Sequence, residues 1–154
     1  MTLVHVGTID VFLIAPEPTG WAVLVLRRSL TTRCPTAWET VHGRIEPGER
    51  PEDAAVREVR EETGLECDRL YNVTVQPFYL HKTATVELSV VFAAFVNRDR
   101  AVVLGEEHMD HEWLTPARAL ERFVWPRERA GLREVMQLLR GGDAGPVEDV
   151  LRVF

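Results

Sequence analysis

The chain has no excess of positive charge, no long apolar run and very little cysteine. Its 18 Lys and Arg face 24 Asp and Glu, a formal net charge of −6. General nucleic-acid binding uses basic faces to neutralise phosphates, so no nucleic-acid polymer is expected as a partner. A single nucleotide held through a metal and a few arginines is not excluded. Lys82 is the only lysine among the basic residues, which we read as a coding bias without functional meaning. No uninterrupted apolar stretch approaches the roughly 20 residues that span a bilayer, so no membrane partner is expected. The opening MTLVHVGTID lacks a basic segment followed by a small-residue cleavage site; no signal peptide is read, and a cytoplasmic address is the default. Cys34 and Cys67 stand apart with no CxxC pair, and are expected as reduced thiols rather than a disulfide.

At 154 residues with 45% apolar content the chain is long enough for one domain with a real core. Residues 4–14 and 21–26 are rich in β-branched and aliphatic side chains, and the intervening APEPTG supplies a turn; together they predict a hairpin. Residues 29–36 form a polar loop and 38–41 a short strand. Pro51 suits the first turn of a helix, Glu52 and Asp53 complement its N-terminus, and Gly64 suits its C′ position, predicting a helix over about 51–63. Two longer strands follow at 70–80 and 84–96 around the turn HKTA, then a loop, a strand at 112–114 and helices at about 116–122 and 127–140. We assign residues 1–140 to a single domain. Residues 141–154 begin with the break GGDAGP and end in VEDVLRVF, a docked strand or a loose tail. Strands on both sides of one helix, with helices after them, predict an α/β fold: a mixed sheet covered on both faces.

The segment from Gly43 to Leu65, GRIEPGERPEDAAVREVREETGL, departs from what stability alone would select. Glu58, Glu61 and Glu62 occupy about a 100° arc of one helix, beside the apolar Ala55, Val56 and Val59. Like charges at these spacings repel by roughly 0.2–0.5 kcal/mol per pair. Anions near a helix C-terminus oppose its dipole by about 0.3–1 kcal/mol each. A cation must offset this, and clustered carboxylate oxygens are the ligands that Mg²⁺ or Mn²⁺ prefer. A solvated, salt-bridged helix with Arg57 and Glu61 as an i,i+4 pair is the bland alternative.

Nine positions of this segment, Gly43, Glu49, Arg57, Glu58, Val59, Glu61, Glu62, Gly64 and Leu65, match the G-x5-E-x7-R-E-V-x-E-E-x-G-L box. On these residues the chain resembles the Nudix hydrolases, MutT-like enzymes, and its predicted elements agree with that family from about residue 4 to 140. The resemblance implies an α/β/α sandwich and Mg²⁺-dependent hydrolysis of a nucleoside diphosphate linked to another moiety, with water attacking phosphorus. Carried over, Glu58, Glu61 and Glu62 resemble metal ligands, and the main-chain carbonyl of His42 or Gly43 completes their shell. Arg57 resembles the residue that orients the box glutamates, with Glu49 and Glu61 in its reach and Glu49 behind the ligands rather than among them. Members commonly supply one further glutamate from a late loop as ligand or general base. Glu107 in GEEHMDHEWL is the candidate, ahead of Glu106 and Glu112. We therefore expect Glu61, Glu107, Arg57 and Glu58 to be catalytic.

Outside the box, Arg27 and Arg28 close the second strand where phosphate-contacting arginines can project, and Arg44 is a comparable candidate. His42 stands where the box often opens with Gly-Gly, as a backbone donor or a substrate contact. His108 and His111 are expected at the surface and Trp38 and Trp113 in the core; Trp21 and Trp125 are weaker candidates for the edge of a base-stacking cleft.

WETVHGRIEPGE, EEHMDHEWL and FVWPRERAGLREV most resemble the bacterial branch acting on dihydroneopterin triphosphate and dATP. VQPFYL, Pro77 and Tyr79 match the NADH, ADP-ribose and diadenosine polyphosphate branches less well, and no LLTxxR coenzyme A motif precedes the box. The favoured substrate is a (deoxy)nucleoside or pterin triphosphate, released as monophosphate plus pyrophosphate. The alternatives are hydrolysis of a nucleotide sugar, ADP-ribose or dinucleotide polyphosphate, a non-catalytic nucleotide-sensing domain, and a structural or interaction domain. Homodimers are common in the resembled family, which makes a homodimer an expectation.

Overall fold

The computed structural model describes the whole chain, Met1–Phe154. Strand β1 (Leu3–Glu17) lies at its centre and is buried on both faces. Successive strand side chains point to opposite sides. Ile9, Val11 and Leu13 therefore enter one core cluster, and Phe12 and Ile14 enter another. Strand β2 (Gly20–Arg28) pairs antiparallel with one edge of β1. β6 (Thr85–Phe95) runs parallel along the other edge, and β5 (Arg69–Leu80) pairs antiparallel with β6. The sheet is thus mixed, in the order β3 (Trp38–Glu39), β2, β1, β6, β5.

A strand buried on both faces needs cover on both. Helix α1 (Pro51–Thr63) covers one face with Ala54, Ala55 and Val59. Helices α2 (Pro116–Arg122) and α3 (Pro126–Leu139) cover the other with Ala119, Leu132, Val135 and Leu139. The fully buried Val59 alone contributes about 1.5–3 kcal/mol of transfer free energy. Helix α1 starts on Pro51 with Glu52 and Asp53 in its first turn. It stops at Gly64, whose φ of +71° lets its N–H donate to the Arg60 carbonyl.

The sheet forks at one end. β4 (Val41–Arg44) pairs with residues 8–11 of β1, on the edge that β2 takes farther along at residues 14–17. β2 instead carries β3 (Trp38–Glu39) and β7 (His108–Leu114). Thr40 is the single residue between β3 and β4. Its hydroxyl donates to the Val11 carbonyl (2.6 Å) and its N–H to Glu128 Oε1 (2.8 Å), which fixes the crossing. The predicted strand at 38–41 is therefore two short strands on different branches. β7 begins four residues before the predicted 112–114, because pairing with β2 holds its polar residues in line without an apolar alternation.

The tail is docked. A 3-10 turn (Gly145–Val147) and the short helix α4 (Glu148–Leu151) bring the C-terminus to the outer edge of β5. There the Val153 N–H donates to the Leu70 carbonyl, and the Leu70 N–H donates to the Phe154 carbonyl. Both cysteines are free, and no helix is long and apolar enough to cross a membrane.

Candidate active site

The C-terminal half of α1, the start of β4, Glu39 on β3 and the loop before β7 meet at one end of the fork. The loop is tied to the helix end: the Val103 N–H donates to the Thr63 carbonyl (2.8 Å) and the Gly105 N–H to the Glu62 carbonyl (3.3 Å). These bonds satisfy carbonyls that a helix terminus leaves open.

Arg57 organises the glutamates. Its guanidinium donates to both oxygens of Glu49 (2.8 and 3.0 Å), to Glu58 (2.7 Å), to Glu61 (3.3 Å) and to the Arg44 carbonyl (2.9 Å). These charge-assisted bonds, with help from the Glu46 N–H, hold the Glu49 carboxyl down at about 2. Glu58 moves the other way. Its burial raises the carboxyl above the usual range, and Glu61 and Glu107 add to that against the pull of Arg57.

Glu62 is the outlier of the group. It lies on the packed side of α1, only 5% exposed, where the sequence suggested the helix edge. Burial pushes its carboxyl well up, and Glu58, Glu39 and Glu107 push it further. Its Oε2 is buried with no hydrogen-bond partner. Glu61 is exposed and reaches only Arg57. No three acidic, histidine or cysteine side chains converge into a ready metal cage. Even so, an oxygen-only donor set with one orphaned carboxylate oxygen and mutually repelling neighbours fits a hard divalent cation. Gly43 stands directly against Glu58: a Cβ there would come within 2.2 Å of Cδ.

The remaining expected residues divide. Glu107 sits in the loop within electrostatic reach of Glu58 and Glu62, whereas Glu106 only offers its carbonyl to the Ser29 hydroxyl (2.8 Å). Glu112 is paired with Arg122. Arg28 is not free for a phosphate: Nη1 donates to Glu39 at 2.7 Å and Nε to the Arg33 carbonyl at 2.6 Å. Arg27 lies over the Trp38 ring, its Nε buried and unpartnered. The Arg44 side chain is exposed. His108, expected at the surface, is buried with Nε2 at 3.3 Å from Glu39. Because the partner is a carboxylate, Nε2 carries the proton. His111 is partly exposed. Trp38 and Trp113 are half-buried against the two cores, while Trp21 packs edge-on against Phe95.

A second group of charges went unread in the sequence. Asp10 on β1 is buried against His42 Nδ1 (2.7 Å) and Arg127 Nε (3.1 Å). Burial would raise its carboxyl, but the His42 hydrogen bond and the Arg127 charge hold it down at about 2. Arg127 lies over the rings of Phe78 (4.8 Å) and Trp125 (5.3 Å), and His42 meets Phe78 edge-on at 6.4 Å. The buried Trp125 Nε1 has no partner. Neighbouring Glu128 is fully buried, its carboxyl raised by burial first and then by Asp10. The signal was a lone aspartate inside the apolar run TIDVFLIA, whose pairing with residues 32 and 117 positions away no local pattern reports. Glu39, adjacent to Trp38 in a short strand, was missed for the same reason.

The NUDIX domain profile matches residues 4–137. The chain belongs to the NUDIX family. Among curated relatives, it is 37% identical over 102 residues to a protein named octanoyltransferase from Myxococcus xanthus, covering 65% of this chain and 28% of that one. It is 31% identical over 93 residues to the nucleoside triphosphatase NudI of Escherichia fergusonii, covering 53% of this chain and 64% of NudI. The chain thus spans less than two thirds of the length of these relatives. Among solved structures, the E. coli dihydroneopterin triphosphate pyrophosphohydrolase superposes with a TM-score of 0.67 at 24% identity, covering 86% of this chain and 96% of that one. At that identity the likeness shows the Nudix fold alone, the mixed sheet between helices described above.

Proposed function

We propose that the chain is a Mg²⁺- or Mn²⁺-dependent Nudix pyrophosphohydrolase, acting as one domain over residues 1–140. The observation that carries this reading is Glu62, a buried carboxylate with an orphaned oxygen set beside Glu58 and Glu107. Glu58, Glu61 and Glu62, with the Gly43 carbonyl and Glu107, are the residues that would hold the cation. When bound, the cation supplies charge neutralisation of a polyphosphate and an acidified water. Arg57 keeps Glu58 and Glu61 oriented from a fixed position on the same helix. Glu107, on a loop tied to the helix end and within electrostatic reach of Glu58 and Glu62, is our candidate to take the proton of the attacking water.

The substrate we favour is a (deoxy)nucleoside or pterin triphosphate, cleaved to monophosphate and pyrophosphate. The likeness to the nucleoside triphosphatase NudI supports it. Phe78, Trp125 and His42, gathered around Arg127, are our candidates to meet a planar ring. Arg27 and Arg44 remain the candidates for phosphate contact. The test is Mg²⁺-dependent pyrophosphate release from nucleoside triphosphates, pterin triphosphate, nucleotide sugars and dinucleotides. Glu61→Gln and Glu62→Gln should each cut turnover by at least about 100-fold with an unchanged circular dichroism spectrum. Unchanged rates would overturn the assignment.

A further inference from the structure

Glu39, Arg28 and His108 form a buried polar group that no box residue requires. Arg28 and His108 are cross-strand neighbours on β2 and β7, and both point at Glu39 Oε1 (2.7 and 3.3 Å). The next residue on either side of that pairing belongs to the loop contact: the Ser29 N–H donates to the Glu107 carbonyl (2.9 Å) and the Ser29 hydroxyl to the Glu106 carbonyl (2.8 Å). Glu107 is thereby held beside Arg28, whose guanidinium feels both carboxylates. An arginine flanked by two glutamates pairs with the one whose closer contact solvent screens less. Here Glu39, only 3% exposed, takes the short bond, and Arg28 is further pinned by the Arg33 carbonyl.

We propose that Glu39 is a positioning residue that holds Arg28 away from Glu107, leaving the Glu107 carboxylate free to face Glu58 and Glu62. The inference rests on the assignment of Glu107 to the cation site above. Without the Glu39 charge, Arg28 turns to the nearest remaining anion, Glu107, and forms an ion pair in place of cation ligation. The two partners of the Arg28–Glu39 pair then have unequal roles. Loss of Glu39 releases a cation into the site, whereas loss of Arg28 leaves the Glu39 carboxylate with His108 at 3.3 Å and puts no cation beside Glu107.

The test is Mn²⁺ binding followed by electron paramagnetic resonance on full-length wild type, Glu39→Gln, Arg28→Gln and the double variant, with thermal melts to establish folding and pyrophosphate release to give kcat and KM. Glu39→Gln should weaken Mn²⁺ binding about 10-fold or more and lower kcat with little change in KM. Arg28→Gln should hold Mn²⁺ within about threefold of wild type, and adding it to Glu39→Gln should restore binding. Equal losses for the two single variants, or no rescue in the double, would overturn the proposal by reducing the pair to a structural salt bridge. Should Glu39→Gln not fold, the double variant and Arg28→Gln decide the matter: a loss of Mn²⁺ affinity in either overturns it. An active wild type with a normal Glu39→Gln removes this proposal alone. A wild type that binds no Mn²⁺ and hydrolyses nothing removes the function proposed above as well.

Discussion

One methyl group at Gly43 should disable the site while sparing the fold. Gly43 lies in extended strand β4 opposite Ile9, so alanine meets no backbone strain there. The new Cβ would instead fall 2.2 Å from Cδ of Glu58 and 2.4 Å from its Cγ and Oε1. Restoring an ordinary 3.4 Å contact moves the carboxyl by 1.2 Å (3.4 less 2.2). That breaks the 2.7 Å bond from Arg57. A hydrogen bond to a charged group contributes about 1.5–3 kcal/mol when well buried. The Arg57 side chain is 24% exposed and keeps Glu49, so solvent screening reduces the loss to about 1 kcal/mol. For a chain of this length that is roughly 2–4 °C in Tm. Catalytic geometry is less forgiving: a 1 Å misplacement can lower turnover about 100-fold. Calorimetry and Mg²⁺-dependent pyrophosphate release on Gly43→Ala check both sides. A wild-type kcat would refute the placement of Glu58 in the site. A fall in Tm beyond about 10 °C would refute the view that a flexible glutamate absorbs the collision.

Two further predictions concern the buried charges around α3. The Glu128 carboxyl is raised well above its ordinary 4.5, by burial first and by Asp10 next. A raised folded value contributes stability below pH 4.5 that is lost as pH climbs through it. Glu128→Gln keeps an acceptor for the Thr40 N–H and cannot ionise. It should melt at least about 2 °C above wild type at pH 8, with the gap closing toward pH 4.5 in a pH series of melts; a constant gap would contradict this. Asp10 has the opposite sign: held at about 2, it stabilises above pH 3.8 and loses that contribution as pH falls toward 2. Asp10→Ala leaves Arg127 only the longer 3.7 Å contact to Glu128 and should cost about 3 kcal/mol, or roughly 6–12 °C in a thermal melt at neutral pH; an unchanged Tm would overturn it.

The elements that were legible are those whose cause is local. Helix α1 carries its own start in Pro51, Glu52 and Asp53 and its own stop in Gly64, and its bounds emerged as read. The β1–β2 hairpin and the long β5 and β6 strands carried their apolar runs and turns. The box glutamates stood out as candidates because like charges crowd one arc of one helix. The start of β7, the fork at Thr40 and the docking of Val153 and Phe154 were not, because each is held by a partner strand distant in sequence.

The sequence by itself therefore determined the family and the fold class and named the box glutamates as candidates, all of which follow from spacing along one segment or from period and turn chemistry. Only the tertiary structure decided which of those charges are free. It spent Arg28 on Glu39, buried His108, seated Asp10 against Arg127, and left Glu62 Oε2 without a partner. The physical reason is that a charge acquires its role from the desolvation and the counter-charges around it. Those are supplied across the sheet by residues up to 117 positions away, beyond the reach of any local pattern.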